Sequence, residues 1–474
     1  MEDNTKKLGL TSLAMLVIGS IIGGGIFNLM TDMSNAASLG GVILGWIITG
    51  IGMSFLVLCF DNLNRKRPDL DAGIYSYAKD GFGDYMGFNA AWGYWISALL
   101  GNVAYATLLF SSLGYFFPIF GNGQNVASVI GASILLWGVH YLITKGAQTA
   151  SFINTIVTIA KLIPLAIFIV AVICAFKLNL FTQDFWGTPS GKFVFSDVLN
   201  QVRASMVVTV WVFIGIEGAV VLSGRAKHRK DVGKATILGL FTVLAIYMLI
   251  TVLSFGVMSR HGLQGLTQPA MAELLASIVG KWGAVLVNLG VIVSVLGAWL
   301  SWTMFSAELP YQAAKTQTFP KLFAKENKNG APVNSLLLTN GLVQLFIFTF
   351  LITDRAYHFA YALSTSAILI PYALTAFYQT KYSIKVDQTK TRAWQITVGL
   401  IASLYSVWLI YAGGISYLLL TMMLFFPGVF IYIWVRKENK QKLFRPYEWL
   451  IFIIITILFI LCCYQLATGQ IVLD

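Results

Sequence analysis

Charge is what this 474-residue chain has least of. Asp, Glu, Lys and Arg together make up 11% of it, against roughly 25% in an average soluble domain. A surface so poor in charge cannot be wetted all round, which excludes an ordinary soluble fold. Histidine and cysteine are scarce as well, with four of each. His140, His228, His261 and His358 are scattered, so a His-based catalytic centre gets no support. Cys59, Cys174, Cys462 and Cys463 lie in apolar segments, with no metal-like spacing and no extracellular pair to oxidise. A Walker-type P-loop is missing, so ATP hydrolysis is not an expected energy source. A membrane-embedded enzyme would need paired carboxylates or a metal cluster facing one cavity, and neither pattern is present. No metal and no cofactor are expected.

What the chain has in quantity is apolar length. Apolar residues make up 57% of it, and runs long enough to cross the ~30 Å hydrocarbon core recur from end to end. The runs predict an all-α integral membrane protein with about 13 spans. Their approximate limits are 8–31, 39–61, 86–118, 125–144, 150–177, 197–223, 234–258, 281–312, 333–353, 356–380, 393–412, 414–435 and 447–467. The connections between them leave no room for a hidden soluble domain. The first run is too long for a cleaved signal and lacks a small-residue cleavage pattern, so it counts as a span.

The net charge of +12 raises the question of nucleic acid, and its distribution answers it. With the N-terminus inside, roughly 25 of the 32 Lys and Arg fall in segments that the span count makes cytoplasmic. Most of them lie in Arg65-Lys66-Arg67, Arg225 to Lys234, Lys315 to Lys328, Lys381 to Arg392 and Arg436 to Arg445. The opposite loops, such as 119–124 and 178–196, are nearly free of positive charge. That is positive-inside orientation in a plasma membrane, with basic loops suited to an anionic inner leaflet and not to nucleic acid. An odd number of spans places the C-terminus outside.

Three glycines, Gly23-Gly24-Gly25, interrupt the first span. Each costs roughly 1 kcal/mol relative to alanine inside a helix, so the run marks a break. Broken backbone at membrane depth is tolerated only where it is buried in protein or lines a cavity. Its free N–H groups are anion ligands. Close helix packing is the competing reading, since Gly19 and Gly23 form a GxxxG pair. Five spans later, SMVVTVWVFIGIEGAVVLS places Gly215 and Gly218 around Glu217, again in mid-span. Breaks in the first and sixth spans predict a five-plus-five inverted repeat with a site between the halves.

These residues resemble the amino acid–polyamine–organocation superfamily, and within it the basic amino acid antiporters. The motifs are GSIIGGGIF (Gly19 to Phe27), GNVAY (Gly101 to Tyr105), WVFIGIEGA (Trp211 to Ala219) and GAPVNS (Gly330 to Ser335). The stretch from Asp71 to Trp95 is similar to the arginine/ornithine antiporters in particular. The resemblance implies a LeuT-like transport core at 1–380, with additional C-terminal spans at 381–474. It also implies a small cationic amino acid as substrate and exchange by alternating access. A thirteenth span departs from the superfamily's usual twelve but suits arginine/ornithine antiporters.

A cationic amino acid presents a carboxylate, an α-ammonium and a side-chain cation. Backbone N–H groups around Gly23, Gly24 and Gly25 suit the carboxylate. The arginine/agmatine antiporters carry serine where this chain has Gly24, so side-chain help is not expected there. Carbonyls released near Trp211, Ile214 and Gly215 suit the α-ammonium. Trp302 takes the position at which arginine antiporters stack an indole on the guanidinium, worth about 2 kcal/mol when desolvated; Trp299, one turn away, competes for the role. Asn102 and Ser364 match positions that bond the distal end of the substrate, and Ser97 reaches the same region. Interhelical glue is the competing reading for all three. Trp211, Tyr94 and Tyr372 match aromatic gate positions, with core packing as the alternative. Glu217 and Lys161 are the two deepest ionisable groups. The resemblance assigns Glu217 to the inner gate and Lys161 to the place where sodium binds in sodium-coupled relatives. A plain Lys161–Glu217 ion pair is the alternative.

The leading expectation is therefore electroneutral, sodium-independent exchange of extracellular arginine for intracellular ornithine. Other amino acid/amine exchanges (histidine/histamine, agmatine/putrescine, lysine/cadaverine) and proton-coupled uptake stay open, as does a homodimer. A pocket separates such analogues by only a few kcal/mol.

Overall fold

The computed structural model of the chain describes residues 9–70, 73–145, 148–221, 226–352 and 356–471. Asp71, at the start of one quoted stretch, and Arg225, in a basic loop, lie outside the described residues. The first expected span is two helices, α1 (Leu10–Ile21) and α2 (Leu29–Ala36), parted by the glycine run and a 3-10 turn at Gly25–Phe27. Next come α3 (Leu39–Lys66), the short α4 (Ile74–Phe82), α5 (Asp84–Phe116), α6 (Val126–Thr144), α7 (Gln148–Ala175) and the short α8 (Leu178–Gln183). The sixth expected span is again two pieces, α9 (Phe195–Phe213) and α10 (Gly218–Val221). Beyond it lie α11 (Arg229–Ser254), two short helices α12 (Arg260–Gln264) and α13 (Ala270–Val279), then α14 (Lys281–Lys315) and α15 (Val333–Ile347). The chain ends with α16 (Ala356–Lys385), α17 (Arg392–Ala412), α18 (Ile415–Phe425), α19 (Gly428–Glu438) and α20 (Pro446–Ala467).

Ten described helices are long and apolar enough to cross a membrane. Side chains such as Ile134, Leu404 and Phe430 point outward and stay exposed, which only a lipid solvent makes favourable. The expected span 414–435 is broken too, between α18 and α19. Pro427 lacks the N–H that would continue the ladder.

Burial is graded across the bundle. In α5, 94% of the most apolar window is enclosed by protein, whereas in α20 the share is 11%. α5 is therefore the central post, packed chiefly against α16 and α14. Peripheral α20 is tied to it by one buried carboxylate. Glu448 accepts from Tyr85 N at 3.0 Å and from Arg445 N at 2.7 Å. Those donors sit at the starts of α5 and α20, where unpaired N–H groups and the helix dipole favour negative charge.

Ion pairs gather at the end of the bundle that carries the basic segments. Arg67, beyond α3, bonds Asp69 at 2.6 Å and Asp80 of α4 at 2.6 Å, and also reaches the Tyr378 hydroxyl of α16. Lys66 pairs with Asp387, and Arg436 bonds Asp84 at 2.8 Å. The Arg67 guanidinium holds the Asp80 carboxyl below the usual carboxylate range.

Two outcomes follow for stability. Glu448→Ala leaves the buried Tyr85 N–H unpaired, at about 1–3 kcal/mol, and removes the cap on the half-buried Arg445 N–H. Its unfolding midpoint in detergent should fall clearly, and Glu448→Gln should restore part of the loss. A depressed carboxyl stabilises fully above its unfolded value, near 3.8 for Asp80, and loses that contribution as pH falls through the lower folded value. Asp80→Asn should therefore flatten the acid limb of midpoint against pH below about pH 4 and leave the slope near neutrality unchanged.

Candidate functional site

The two helix breaks meet, and their loose backbone groups satisfy one another through a few side chains. Lys161 of α7 donates to Gly19 O at 2.6 Å and to Ile22 O, so an ammonium sits on the carbonyl end of α1. Tyr247 of α11 donates to Ile21 O at 3.1 Å and to Val212 O at 3.0 Å. One hydroxyl thus joins both breaks. Ser20 donates to Gly215 O at 2.9 Å. Glu217 accepts from Gly215 N at 3.2 Å and from the Tyr372 hydroxyl at 2.6 Å, and Tyr94 faces the same carboxylate. Gly215 has φ +108°, and a Cβ there would stand 2.8 Å from Ser20 O. Only glycine makes that turn without strain.

Between the breaks lies a narrow cavity, about 350 Å³ of empty space counting its open side, of which about 20 Å³ admits the centre of a water molecule. Gly23, Gly25, Trp211, Ile214, Trp302, Ser97 and Ser364 all line it, so the structure gathers seven of the expected residues. Gly23 N already donates to Ile21 O at 2.8 Å. The free donors start one residue later. Among the described residues, none accepts from the N–H of Gly24, Gly25 or Ile26. Opposite them, Trp211 O and Gly215 O are engaged by Ile214 N and Gly218 N, while the Ile214 carbonyl receives no bond among the described residues.

Some expected residues sit beside the cavity and not on it. A Cβ on Gly24 would point away, toward Leu108 and the Tyr105 ring. Asn102 is fully enclosed, with neither amide atom partnered in the protein, but it is not part of the lining. Trp302 lines the cavity, whereas Trp299 is buried outside it. Ser97 and Ser364 bond each other at 3.1 Å. Lys161 and Glu217 do not pair; each is held by the opposite end of a broken helix.

Aromatic rings close the cavity on the side away from the basic segments. Trp211 and Tyr361 lie 5.7 Å apart, and Tyr361 and Tyr357 lie 5.4 Å apart. Above them a vestibule of about 2590 Å³, including its open mouth, is lined by Tyr357, Tyr361, His358, Glu273 and Asn288. On the basic side, Tyr94, Glu217 and Tyr372 form the floor, and Phe60 meets Tyr372 edge-on at 6.0 Å.

Tyr105, Tyr247 and Tyr361 belong to the site without having been expected there. Tyr105 had a detectable signal. It follows Ser97 by eight residues and Gly101 by four on one helix, so all three share a face. Tyr247 and Tyr361 had none, because their partners are hundreds or tens of residues away in the chain. Removing the bridging hydroxyl tests how far the breaks depend on it. Tyr247→Phe leaves two carbonyls short of a donor, at about 1 kcal/mol for each lost bond. Its midpoint in detergent should fall, and saturating substrate should recover part of the loss by binding the folded state.

An arginine/ornithine antiporter of Pseudomonas aeruginosa is 47% identical over 478 residues, covering 99% of this chain and 99% of its own. One from Latilactobacillus sakei is 46% identical over 100% of this chain and 99% of its own. An arginine/agmatine antiporter of Chlamydia abortus is 42% identical over 98% of each. Residues 8–415 match the amino acid permease family, and the chain is a multi-pass membrane protein belonging to that family.

Proposed function

We propose that this permease is an arginine/ornithine antiporter of the plasma membrane, taking in arginine and releasing ornithine by alternating access. The observation that carries the reading is the cavity at the two breaks. It has Gly25, with a free N–H, on one wall and the Trp211 and Trp302 indoles elsewhere in its lining, closed above by aromatics and below by a tyrosine–carboxylate cluster. Near-full-length similarity to proteins named as antiporters of arginine and ornithine supports the same substrates. A cavity with no paired carboxylates and no metal-holding cluster among the described residues suits transport better than catalysis.

In this reading the N–H groups of Gly24, Gly25 and Ile26 hold the substrate carboxylate, and the Ile214 carbonyl, with Trp211 and Gly215, takes the α-ammonium. Trp302 carries the side-chain cation, while Ser97 and Ser364 meet its distal end. Trp211 and Tyr361 gate the outer path. Tyr94, Glu217 and Tyr372 gate the inner one. Lys161 fills the space between the carbonyls of Gly19 and Ile22 that a sodium ion would need, which makes the cycle sodium-independent. If Lys161 stays charged through the cycle, exchange of two substrates of equal charge is electroneutral. Residues 1–380 form the inverted-repeat core, and 381–474 add spans that end with the C-terminus outside.

Counterflow into proteoliposomes tests the reading. Vesicles preloaded with ornithine should accumulate labelled arginine, and empty vesicles should not. Equal uptake by both would reject obligate exchange, and stimulation by sodium would remove the assignment of Lys161. Trp302→Leu should weaken arginine by roughly tenfold or more relative to a neutral amino acid, from the loss of about 2 kcal/mol of cation–π attraction. Equal losses for both would take the indole out of cation recognition.

A further inference from the structure

The free N–H groups are not the only donors at the glycine run. A Cβ built on Gly23 would stand 2.4 Å from the Tyr105 hydroxyl. The phenol of α5 therefore lies directly over the unwound backbone. Tyr105 also lines the cavity with Gly23 and Gly25. Its hydroxyl forms no hydrogen bond with any described residue, whereas the Tyr247 hydroxyl nearby is used twice. The local field decides what the Tyr105 proton can meet. Beside it on the same lining is Gly25 with its free N–H, and the adjoining Gly24 and Ile26 N–H groups are free as well, so backbone donors gather where the phenol proton has no partner. An anion in that space supplies the missing acceptor.

We propose that the Tyr105 hydroxyl is a substrate-contacting donor that completes the carboxylate subsite, and so supplies from α5 the side-chain hydroxyl that glycine at position 24 cannot. The assignment rests on the exchange reading above and deepens it. Position 24 fits this arrangement, because a side chain there would run into Leu108 at 2.6 Å and the Tyr105 ring at 3.3 Å. A side chain at position 24 and the Tyr105 ring would compete for the same volume, and this chain keeps the ring. The contact selects α-amino acids over their decarboxylated amines, because only the acid gives the hydroxyl an acceptor. It does not separate arginine from ornithine, since both bear the same carboxylate.

The structural alternative is that Tyr105 only props the Trp211 indole, 6.5 Å away between ring centres. Tyr105→Phe separates the two, since it keeps the ring and deletes only the hydroxyl. The experiment is competition against labelled arginine in counterflow, alongside calorimetric binding to the detergent-solubilised protein so that a transport-dead variant still reports. Unlabelled arginine, ornithine and agmatine are the competitors, agmatine being arginine without its carboxylate. Tyr105→Phe should weaken arginine and ornithine by the same factor, about tenfold, as expected for a hydrogen bond to a charged group. Agmatine should retain the affinity it has for the unaltered protein, within about twofold. A loss for arginine below about threefold, or an equal loss for agmatine, overturns the assignment. Failure of the unaltered protein to exchange arginine at all would instead sink the exchange reading, and binding of arginine without exchange would tell the two failures apart.

Discussion

Backbone that leaves the helix inside a bilayer must find new partners, and nearly everything at the centre of this protein follows from that requirement. Each unpaired peptide group in hydrocarbon costs several kcal/mol, yet a helix must unwind if its peptide groups are to bind anything. The chain resolves this by sorting its loose groups by sign. Carbonyls at the end of α1 receive the Lys161 ammonium, and the N–H of Gly215 meets the Glu217 carboxylate. The two buried charges are thus each placed at the helix end whose partial charge opposes theirs. They do not pair with each other, which leaves the gap between the breaks free of both.

That arrangement also explains which parts of the structure were legible in advance. The spans were readable because the hydrophobic period and the bilayer thickness leave little choice of element. Both breaks were readable because Gly23–Gly25 and Gly215–Gly218 cost too much in an intact helix. The break between α18 and α19 was marked by Pro427 but merged into one span, since the apolar run continues on either side. Cavity lining was harder. Asn102 and Gly24 carry the right chemistry in the right register and still point elsewhere, because helix rotation within the bundle sets direction and one sequence does not encode rotation locally. Tyr247 and Tyr361 illustrate the same limit from the other side. Their roles depend on contacts with Ile21, Val212 and Trp211, all on other helices.

α5 and α16 run antiparallel through the centre and carry the site as a ladder. From the vestibule inward, α16 presents Tyr357 and Tyr361, then Ser364, then Tyr372, and finally Tyr378 among the basic-side ion pairs. At 1.5 Å per residue, Tyr361 and Tyr372 are about 16 Å apart along the axis. Outer ring pair, cavity and inner cluster are therefore stacked along one helix, with Pro371 falling between the cavity and the inner cluster. A tilt of the broken helices against that helix would open one end as it closes the other, which is the mechanical requirement of alternating access.

The lining itself holds no ionised side chain, and this bears on exchange as opposed to tight capture. An Asp or Glu facing the substrate cation in a desolvated pocket would deepen the bound state, and a transporter must release what it binds on the far side. Under the proposed binding mode, indole faces, hydroxyls and peptide dipoles would hold each charge of the substrate with weaker, distributed contacts, at about 2 kcal/mol for the cation–π term. Substrate can then leave on whichever side is open and be replaced from that side before the next turn of the cycle. Lys161 and Glu217 instead hold the loose backbone ends of the two breaks, and the lining carries neither of them.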